Sequence, residues 1–146
     1  MKISLNWLKD FVDFDLSPEE LAATLTALGL EAMVESRPYD FQGVVVGRIT
    51  SIHSVKGTEH LTSCVVETGT EILEIVCGAP NVKKGALVPV ARIGATLPGG
   101  KKVKEAKIRG QVSSGMICAE DELGLSDDHS GIIILDKQAT LGQDLK

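Results

Sequence analysis

The densest set of side chains that could do chemistry is a basic segment near the middle of the second half of the chain. Five cationic residues fall within nine positions, and only Glu105 opposes them: Lys101, Lys102, Lys104, Lys107 and Arg109. Such a cluster could follow a phosphate backbone. It could equally be a solvated strand whose lysines protect a sheet edge from pairing. Composition leaves both interpretations open, and Lys83 with Lys84 forms a smaller alternative patch.

The remaining suggestive segments predict structure rather than catalysis. Gly94–Lys101 is rich in glycine but lacks the spacing of a phosphate-binding loop, and it is interpreted as a turn. The acidic stretch Glu120–His129 has no second histidine at ligand spacing, so Asp127 and Asp128 are expected to shape a turn rather than bind metal. Cys118 lies in an apolar run without an oxyanion-donor motif. We therefore predict no catalytic residue, metal or cofactor within this chain.

Composition limits how the chain could meet a partner. The net charge of −5 and the sequence pI of about 5.2 argue against nucleic-acid binding through bulk charge, although a local basic face remains possible. The three widely spaced cysteines, Cys64, Cys77 and Cys118, are expected to be buried reduced thiols. No apolar run approaches the roughly 20 residues of a membrane span. With no signal peptide visible at the start, the chain is expected to be soluble and cytoplasmic.

The elements that must position these residues fall into two parts, and the first is helical. A short helix is predicted from Ser4 through Val12, and Ser17-Pro18-Glu19-Glu20 has the residues of a capping box at the start of a second helix. Leu21, Leu25 and Leu28 form one apolar stripe before Gly29. Two short helices bury little apolar surface alone, so they are expected to pack on another part of the protein.

After a linker at Arg37–Asp40, the pattern changes to short strands. Gly-rich turns join apolar runs, and Pro89 suggests that its strand lies at an edge or bulge. Residues 119–125 are predicted to form a helical turn. The predicted strands cover residues 43–52, 62–68, 71–77, 86–93, 114–118 and 132–135. Many short strands within one small domain predict a closed β-barrel, because closure removes exposed sheet edges.

Several runs of residues are distinctive enough to indicate a protein family as well as a type of secondary structure. The most distinctive is ELGLSDDH at residues 122–129, and others are SLNWLK at 4–9, CGAPNV at 77–82, GATLPGG at 94–100 and KIRGQVSSGMIC at 107–118. In this order they resemble the N-terminal region of the β subunit of bacterial phenylalanyl-tRNA synthetase. The resemblance implies a mainly β fold, with a five-stranded OB-fold barrel and extra short strands over residues 39–146. Residues 1–38 would then be the small helical segment of a split domain.

The same resemblance implies a function for the chain. It would be the non-catalytic, tRNA-binding part of a class II aminoacyl-tRNA synthetase that attaches phenylalanine to tRNA(Phe). The α subunit, in an (αβ)2 assembly, would hold the phenylalanine, ATP and Mg²⁺ site. A serine–x–glycine–methionine step in related tRNA-binding modules adds Ser113, Ser114 and Met116 to the basic segment as expected RNA contacts.

One stretch departs from the family, and alternatives remain. Residues 55–61 read VKGTEHL where the family usually has His-Pro-Asn-Ala-Asp-Lys-Leu, so a contact through that loop is not carried over. Stand-alone tRNA-binding or chaperone-like modules share the barrel and are the alternative hypothesis, although they lack the N-terminal helices. A third hypothesis is a structural barrel whose nucleic-acid surface has decayed, which the low pI would allow.

Overall fold

The protein, seen in a computed structural model, divides into two compact units, Met1–Arg37 and Pro38–Lys146. The structure describes residue 1, residues 3–35 and residues 39–145. The predicted linker at Arg37–Asp40 therefore lies partly outside the described residues.

The N-terminal unit contains two short helices, α1 (Leu5–Lys9) and α2 (Pro18–Ala27). The capping box at the start of α2 is confirmed. The backbone N–H of Glu20 donates to Ser17 Oγ at 3.3 Å, and the Ser17 N–H donates to the Glu20 carboxylate at 2.9 Å. Helix α1 ends at Lys9, earlier than the predicted Val12. None of the helices in the described parts of the chain has the length and apolar character needed to cross a membrane.

The apolar side chains of this unit are largely exposed. Helix α2 has no buried residue, and Trp7, Phe11 and Leu28 expose 55%, 69% and 76% of their surfaces. The rings of Trp7 and Phe11 touch edge to face, with centroids 5.1 Å apart. Their packing against each other therefore leaves most of both rings accessible to solvent.

The second unit is a small antiparallel barrel. Strands β1 to β4 and β8 form its five walls, so the predicted OB-like barrel is confirmed. The hydrogen-bonded order is β3-β2-β1-β4-β5; β8 also pairs with β4, and β6 with β7 forms a separate hairpin. The strands are β1 (Gln42–Ser54), β2 (Thr62–Glu67), β3 (Ile72–Cys77), β4 (Leu87–Leu97), β5 (Lys101–Lys102), β6 (Ala106–Ile108), β7 (Gln111–Ser113) and β8 (Gly115–Ile117).

The barrel closes between β3 and the corner that joins β7 to β8. The buried Ser113 hydroxyl accepts the N–H of Val76 at 3.1 Å and donates to the Gly115 carbonyl at 3.0 Å. The Ser114 N–H donates to the Glu74 carbonyl at 2.8 Å. Individual hydrogen bonds, rather than a continuous ladder, therefore join these two walls.

The end of the chain covers part of the edge of β1. Strand β2 pairs only with the second half of β1, from Arg48 onward. Along the first half, Val46 N–H donates to the Gln143 carbonyl at 2.9 Å, and Leu145 N–H donates to the Val44 carbonyl at 2.9 Å. The C-terminal segment thus satisfies backbone groups of β1 that β2 does not reach.

Strand β4 separates two apolar clusters. Its alternation places Val88 and Val90 in the barrel interior, whereas Ala91, Ala95 and Leu97 face a second cluster outside the barrel. The interior cluster also contains Ile49, Val66, Ile75 and Ile117. The outer cluster adds Phe41, Val44, Val103, Cys118 and Leu123. Because both faces of β4 are covered, the loops that pack on its outer face are fixed relative to the barrel.

The prediction that Pro89 marks an edge or bulge was wrong. Pro89 lies within β4, which pairs with β1 on one side and β8 on the other. Its carbonyl accepts the Cys118 N–H at 3.0 Å. Since the nitrogen and carbonyl of one strand residue point to the same side, the missing N–H faces away from β1 and costs no bond in that ladder.

The prediction of a last strand at residues 132–135 was also wrong. Ile132 makes one isolated bridge with Ala119. The Asn81 amide bonds both of its backbone groups, donating to the Ile132 carbonyl at 2.8 Å and accepting its N–H at 2.9 Å. A side chain therefore satisfies groups that a neighbouring strand would otherwise pair.

Residues 119–125, predicted as a helical turn, form hydrogen-bonded turns without a helix.

We expect the backbone amides of α1 and α2 to exchange with deuterium faster than those of β1 to β4. Both helices are short and α2 has no buried residue, whereas the barrel strands contribute most of the buried residues of the two apolar clusters. Hydrogen–deuterium exchange read by mass spectrometry measures both regions in one sample. Equal protection in the two regions would contradict this expectation.

Gly47→Ala should destabilise the barrel. A Cβ at position 47 would lie 2.6 Å from a methyl of Val90 and 2.7 Å from a methyl of Val66, and both valines are fully buried. Overpacking of this kind costs about 1–3 kcal/mol, measurable as a lower free energy of unfolding in urea. The control is Gly78→Ala, whose Cβ meets nothing nearer than a Leu61 methyl at 3.4 Å. Equal losses in the two variants would exclude the steric explanation.

Candidate nucleic-acid interface

A groove of about 500 Å³ lies beside β8 and gathers part of the predicted site. Three of the basic residues line it, Lys101, Lys102 and Lys104, and all three are exposed. Val103 lies between them and is buried. Its carbonyl accepts the Gly94 N–H at 2.8 Å, and its N–H donates to the Ala95 carbonyl at 2.9 Å. Because Val103 is held in the outer cluster, its neighbours Lys102 and Lys104 are kept at the surface.

The other two basic residues lie on the β6–β7 hairpin. Lys107 and Arg109 are exposed and do not line the groove, although Ala106 and Ile108 of the same hairpin do. Arg109 and Gly110 form the turn, with φ of 51° and 82°. Positive φ at both central residues matches the twist of a two-residue hairpin. The basic segment is thus a short edge strand followed by a hairpin arm, and its charges occupy two places.

The serine–x–glycine–methionine step is divided between surfaces. Met116 is half-buried and lines the groove. Ser113 also lines it, but its hydroxyl bonds Val76 and Gly115 and closes the barrel. Ser114 lines a different groove, which it shares with Arg92. Direct RNA contacts by these three residues, and by all of the basic residues, stay predictions.

The alternative patch is separate from the groove. Lys83 and Lys84 are exposed in the loop between β3 and β4, and neither lines the groove. The next residue, Gly85, donates its N–H to the Ile49 carbonyl at 2.7 Å. The two lysines are therefore anchored beside the middle of β1, and the structure offers two distinct basic surfaces.

Sequence reasoning missed that acidic residues line the same groove. Asp121, Glu122 and His129 contribute to it, and they come from the segment interpreted only as turns. That interpretation is confirmed for Asp128, whose carboxylate accepts the Ser130 N–H at 2.9 Å. Hydrogen bonding to the side chain of Ser130, and then to its backbone N–H, lowers the pKa of Asp128. Within residues 3–35 and 39–145, no group of three or more His, Cys, Asp or Glu side chains could hold a metal ion.

Asn81 fixes this acidic loop against the barrel. Its two hydrogen bonds to Ile132 hold the chain next to Gly131, where an added Cβ would lie 2.5 Å from the Asn81 side chain. Glu122 closes the other end of the loop by accepting the Ala119 N–H at 2.8 Å. The only sequence signal for this clamp was the asparagine in the run Gly78-Ala79-Pro80-Asn81.

The three cysteines are buried and unreactive in character. Burial raises the pKa of each thiol, and that of Cys118 rises to about 12. Since the thiolate is the nucleophilic form, Cys118 is almost entirely protonated at neutral pH. The expectation is confirmed in that all three thiols are buried and none is paired in a disulfide.

With this geometry in place, similarity to known proteins identifies the family. The family model described as "Putative tRNA binding domain" matches residues 44–144, which is nearly all of the barrel unit. The chain belongs to this tRNA-binding domain family. The match covers the strands that form the groove and the loop that Asn81 holds. It begins after the N-terminal helices, so these helices lie outside the matched domain.

Longer relatives extend the similarity to the N-terminal unit. The chain is 50% identical to the phenylalanine–tRNA ligase β subunit of Syntrophus aciditrophicus, over 99% of this chain and 18% of that protein. It is 52% identical to the same subunit of Chlorobium luteolum, over 98% of this chain and 19% of that protein. The tRNA-binding domain and its helices thus span less than a fifth of the length of these relatives.

Solved structures share the barrel at low sequence identity. A MetRS-related protein from Pyrococcus horikoshii superposes with a TM-score of 0.55 at 20% identity, covering 77% of this chain and all of that one. The C-terminal domain of Plasmodium vivax p43 gives a TM-score of 0.53 at 17% identity, covering 73% of this chain and 59% of the other. These structural similarities show that the barrel unit shares its fold with both proteins.

Charge reversal should separate the two basic surfaces. We expect Lys102→Glu with Lys104→Glu to weaken tRNA binding and to reduce the slope of log K against log salt by about 1.5, since each lost phosphate contact removes about 0.7–0.9. The matched control, Lys83→Glu with Lys84→Glu, makes the same change in net charge away from the groove. Its salt slope should change less. The opposite ranking would place the interface on the loop between β3 and β4.

Proposed function

We propose that the chain is the N-terminal, non-catalytic, tRNA-binding part of the β subunit of a phenylalanine–tRNA ligase. The observation that carries this proposal is the 50% identity to such a subunit over 99% of the chain. That length includes the N-terminal helices as well as the tRNA-binding barrel. The groove supplies the physical basis for binding, because its lysines are exposed and available to phosphate groups.

The lysines in the groove have no ion-pair partner within the described residues. No carboxylate there lies within 4.0 Å of Lys101, Lys102 or Lys104, and Asp121 and Glu122 share the groove without neutralising them by contact. These cations can therefore meet phosphate groups without first breaking a salt bridge. Each phosphate bound releases counterions, which makes the binding dependent on salt.

The overall charge restricts the strength of this binding. A net charge of −5 repels a polyanion at long range, but salt screens that repulsion beyond about 8 Å at physiological ionic strength. Attraction therefore depends on the local lysines alone. Two or three phosphate contacts support only weak association, so we expect dissociation constants near or above about 1 μM for this chain. Such a domain assists the docking of tRNA to a larger enzyme.

The partners of the whole protein follow from the same proposal. The complete ligase would attach phenylalanine to tRNA(Phe) in the cytoplasm, with ATP and Mg²⁺ at a site in its α subunit and an (αβ)2 assembly. The exposed Trp7, Phe11 and Leu28 support a split domain, in which residues 1–38 pack on chain that follows the barrel. No residue of the described chain is assigned to the aminoacylation reaction.

The alternative is a stand-alone tRNA-binding module. The P. horikoshii protein, whose whole length the barrel covers, illustrates that an OB-type barrel can form most or all of a chain. Against this alternative, the N-terminal helices match ligase β subunits together with the barrel, in one continuous similarity. We therefore favour the ligase subunit.

The chain should bind tRNA(Phe) at low salt and yet catalyse neither phenylalanyl-adenylate formation nor hydrolysis of mischarged tRNA. Burial raises the pKa of all three thiols, and within the described residues no group of three or more His, Cys, Asp or Glu side chains could hold a metal ion. A tRNA titration and an ATP–pyrophosphate exchange assay on the same preparation test both statements, with a complete (αβ)2 ligase as the positive control. Phenylalanine-dependent exchange by the chain alone would refute the non-catalytic assignment, and absence of tRNA binding at low salt would refute the binding role.

A further inference from the structure

Charges of both signs line the groove beside β8, and they come from two separate segments of the chain. Residues 101–104 contribute three exposed lysines, whereas the acidic loop contributes Asp121 and Glu122. Asp121 is exposed, and its carboxylate forms no hydrogen bond or ion pair with any described residue. One Glu122 oxygen accepts the Ala119 N–H. Since no lysine lies within 4.0 Å of either carboxylate among the described residues, both kinds of charge remain available to a ligand.

Apart from these charged residues, much of the lining is apolar. The half-buried Met116 lies there with Ile108, Ile132 and Pro80. A thioether and aliphatic side chains can contact the face of a planar base without selecting its identity. The groove therefore combines cations for phosphate, an apolar surface for a base face and carboxylates for a base edge.

We propose, on the basis of the tRNA-binding function above, that this groove holds an unpaired RNA segment and selects bases that present an exocyclic amino group. The phosphates lie along Lys101, Lys102 and Lys104, and the base edges point toward Asp121 and Glu122. Cytosine, adenine and guanine are accepted, and uracil is disfavoured.

The selection follows from the chemistry of a carboxylate, which only accepts hydrogen bonds. Cytosine presents an amino group at C4 that donates to it, as Asp and Glu do when they read cytosine. Uracil carries a carbonyl oxygen at the same position, and its one donor on this edge, N3–H, lies between two carbonyl oxygens whose lone pairs the carboxylate repels. Cytosine and uracil have nearly the same size and stacking surface, so their comparison isolates the difference in donors and acceptors along this edge.

The segment must be unpaired for this contact to form. In a duplex the cytosine amino group is engaged by its partner base, and the major groove of A-form RNA is too deep and narrow for side chains to read. The carboxylates also repel phosphate, so the backbone is confined to the lysine side. The orientation of the strand is thus fixed by charge before any base is read.

The experiment compares oligocytidylate and oligouridylate of about eight nucleotides, a length within the usual range for one OB fold. Binding to the 146-residue chain is followed by NMR at neutral pH and low salt, using the Met116 methyl signal to report on the groove. We expect about fivefold tighter binding of the cytidylate, the lower end of the discrimination given by base-edge contacts. A duplex should shift the Met116 signal much less.

Asp121→Asn provides the decisive variant, with Asp127→Asn as its matched control. Asp127 is exposed, carries the same charge and does not line the groove. Either substitution removes one negative charge and so lessens the repulsion of phosphate equally for both oligonucleotides. Only Asp121→Asn should reduce the ratio of the two dissociation constants toward one, because the asparagine amide can donate to the uracil carbonyl.

The outcomes separate this inference from the proposed function. Equal affinity for the two oligonucleotides, or an unchanged ratio in Asp121→Asn, would overturn the base selection while tRNA binding stands. An equal loss of selection in both variants would show a general charge effect and would also overturn it. If neither oligonucleotide nor tRNA binds the chain, the RNA-binding function itself fails.

Discussion

The hydroxyl of Ser113 joins two walls of the barrel, and the groove depends on that junction. It receives the Val76 N–H from β3 and donates to the Gly115 carbonyl at the start of β8. At the next step Gly115 passes so close to β4 that an added Cβ would lie 2.9 Å from the Ala91 carbonyl. These contacts hold β8 between β3 and β4, and they place Met116 in the groove.

The second constraint is the outer cluster on β4. The interior of this small barrel is filled by one apolar cluster, and the candidate RNA-binding groove is supported by the second cluster outside it. Val103 anchors the lysine segment in this cluster, and Leu123 anchors the acidic loop. Burial of one apolar residue in each segment thereby fixes charged neighbours that could not be buried themselves. The Asn81 clamp adds a polar restraint at the far end of the acidic loop.

The net charge of the protein does not describe the charges that a ligand would meet within the groove. A net charge of −5 describes a molecule that repels RNA as a whole. Within one groove, however, both lysines and carboxylates line the wall without pairing within the described residues. Screening limits each charge to its near surroundings, so opposite signs can serve different parts of one ligand. The RNA binding proposed above therefore depends on the charges within the groove rather than on the net charge.

The sequence by itself determined the local elements and the family. Apolar runs between Gly-rich turns predicted strands β1 to β4, and the serine, proline and glutamate at residues 17–20 predicted the start of α2. The runs of residues that resemble the synthetase β subunit predicted the kind of barrel. Tertiary structure alone decided which distant segments meet. Asp121 and the lysines at 101–104 are brought together by packing on β4. In the apolar run at 132–135, which was predicted to be a strand, the side chain of Asn81 bonds the backbone of Ile132 instead. Periodicity reports only which residues are buried, whereas the partners across a groove are set by long-range closure of the barrel.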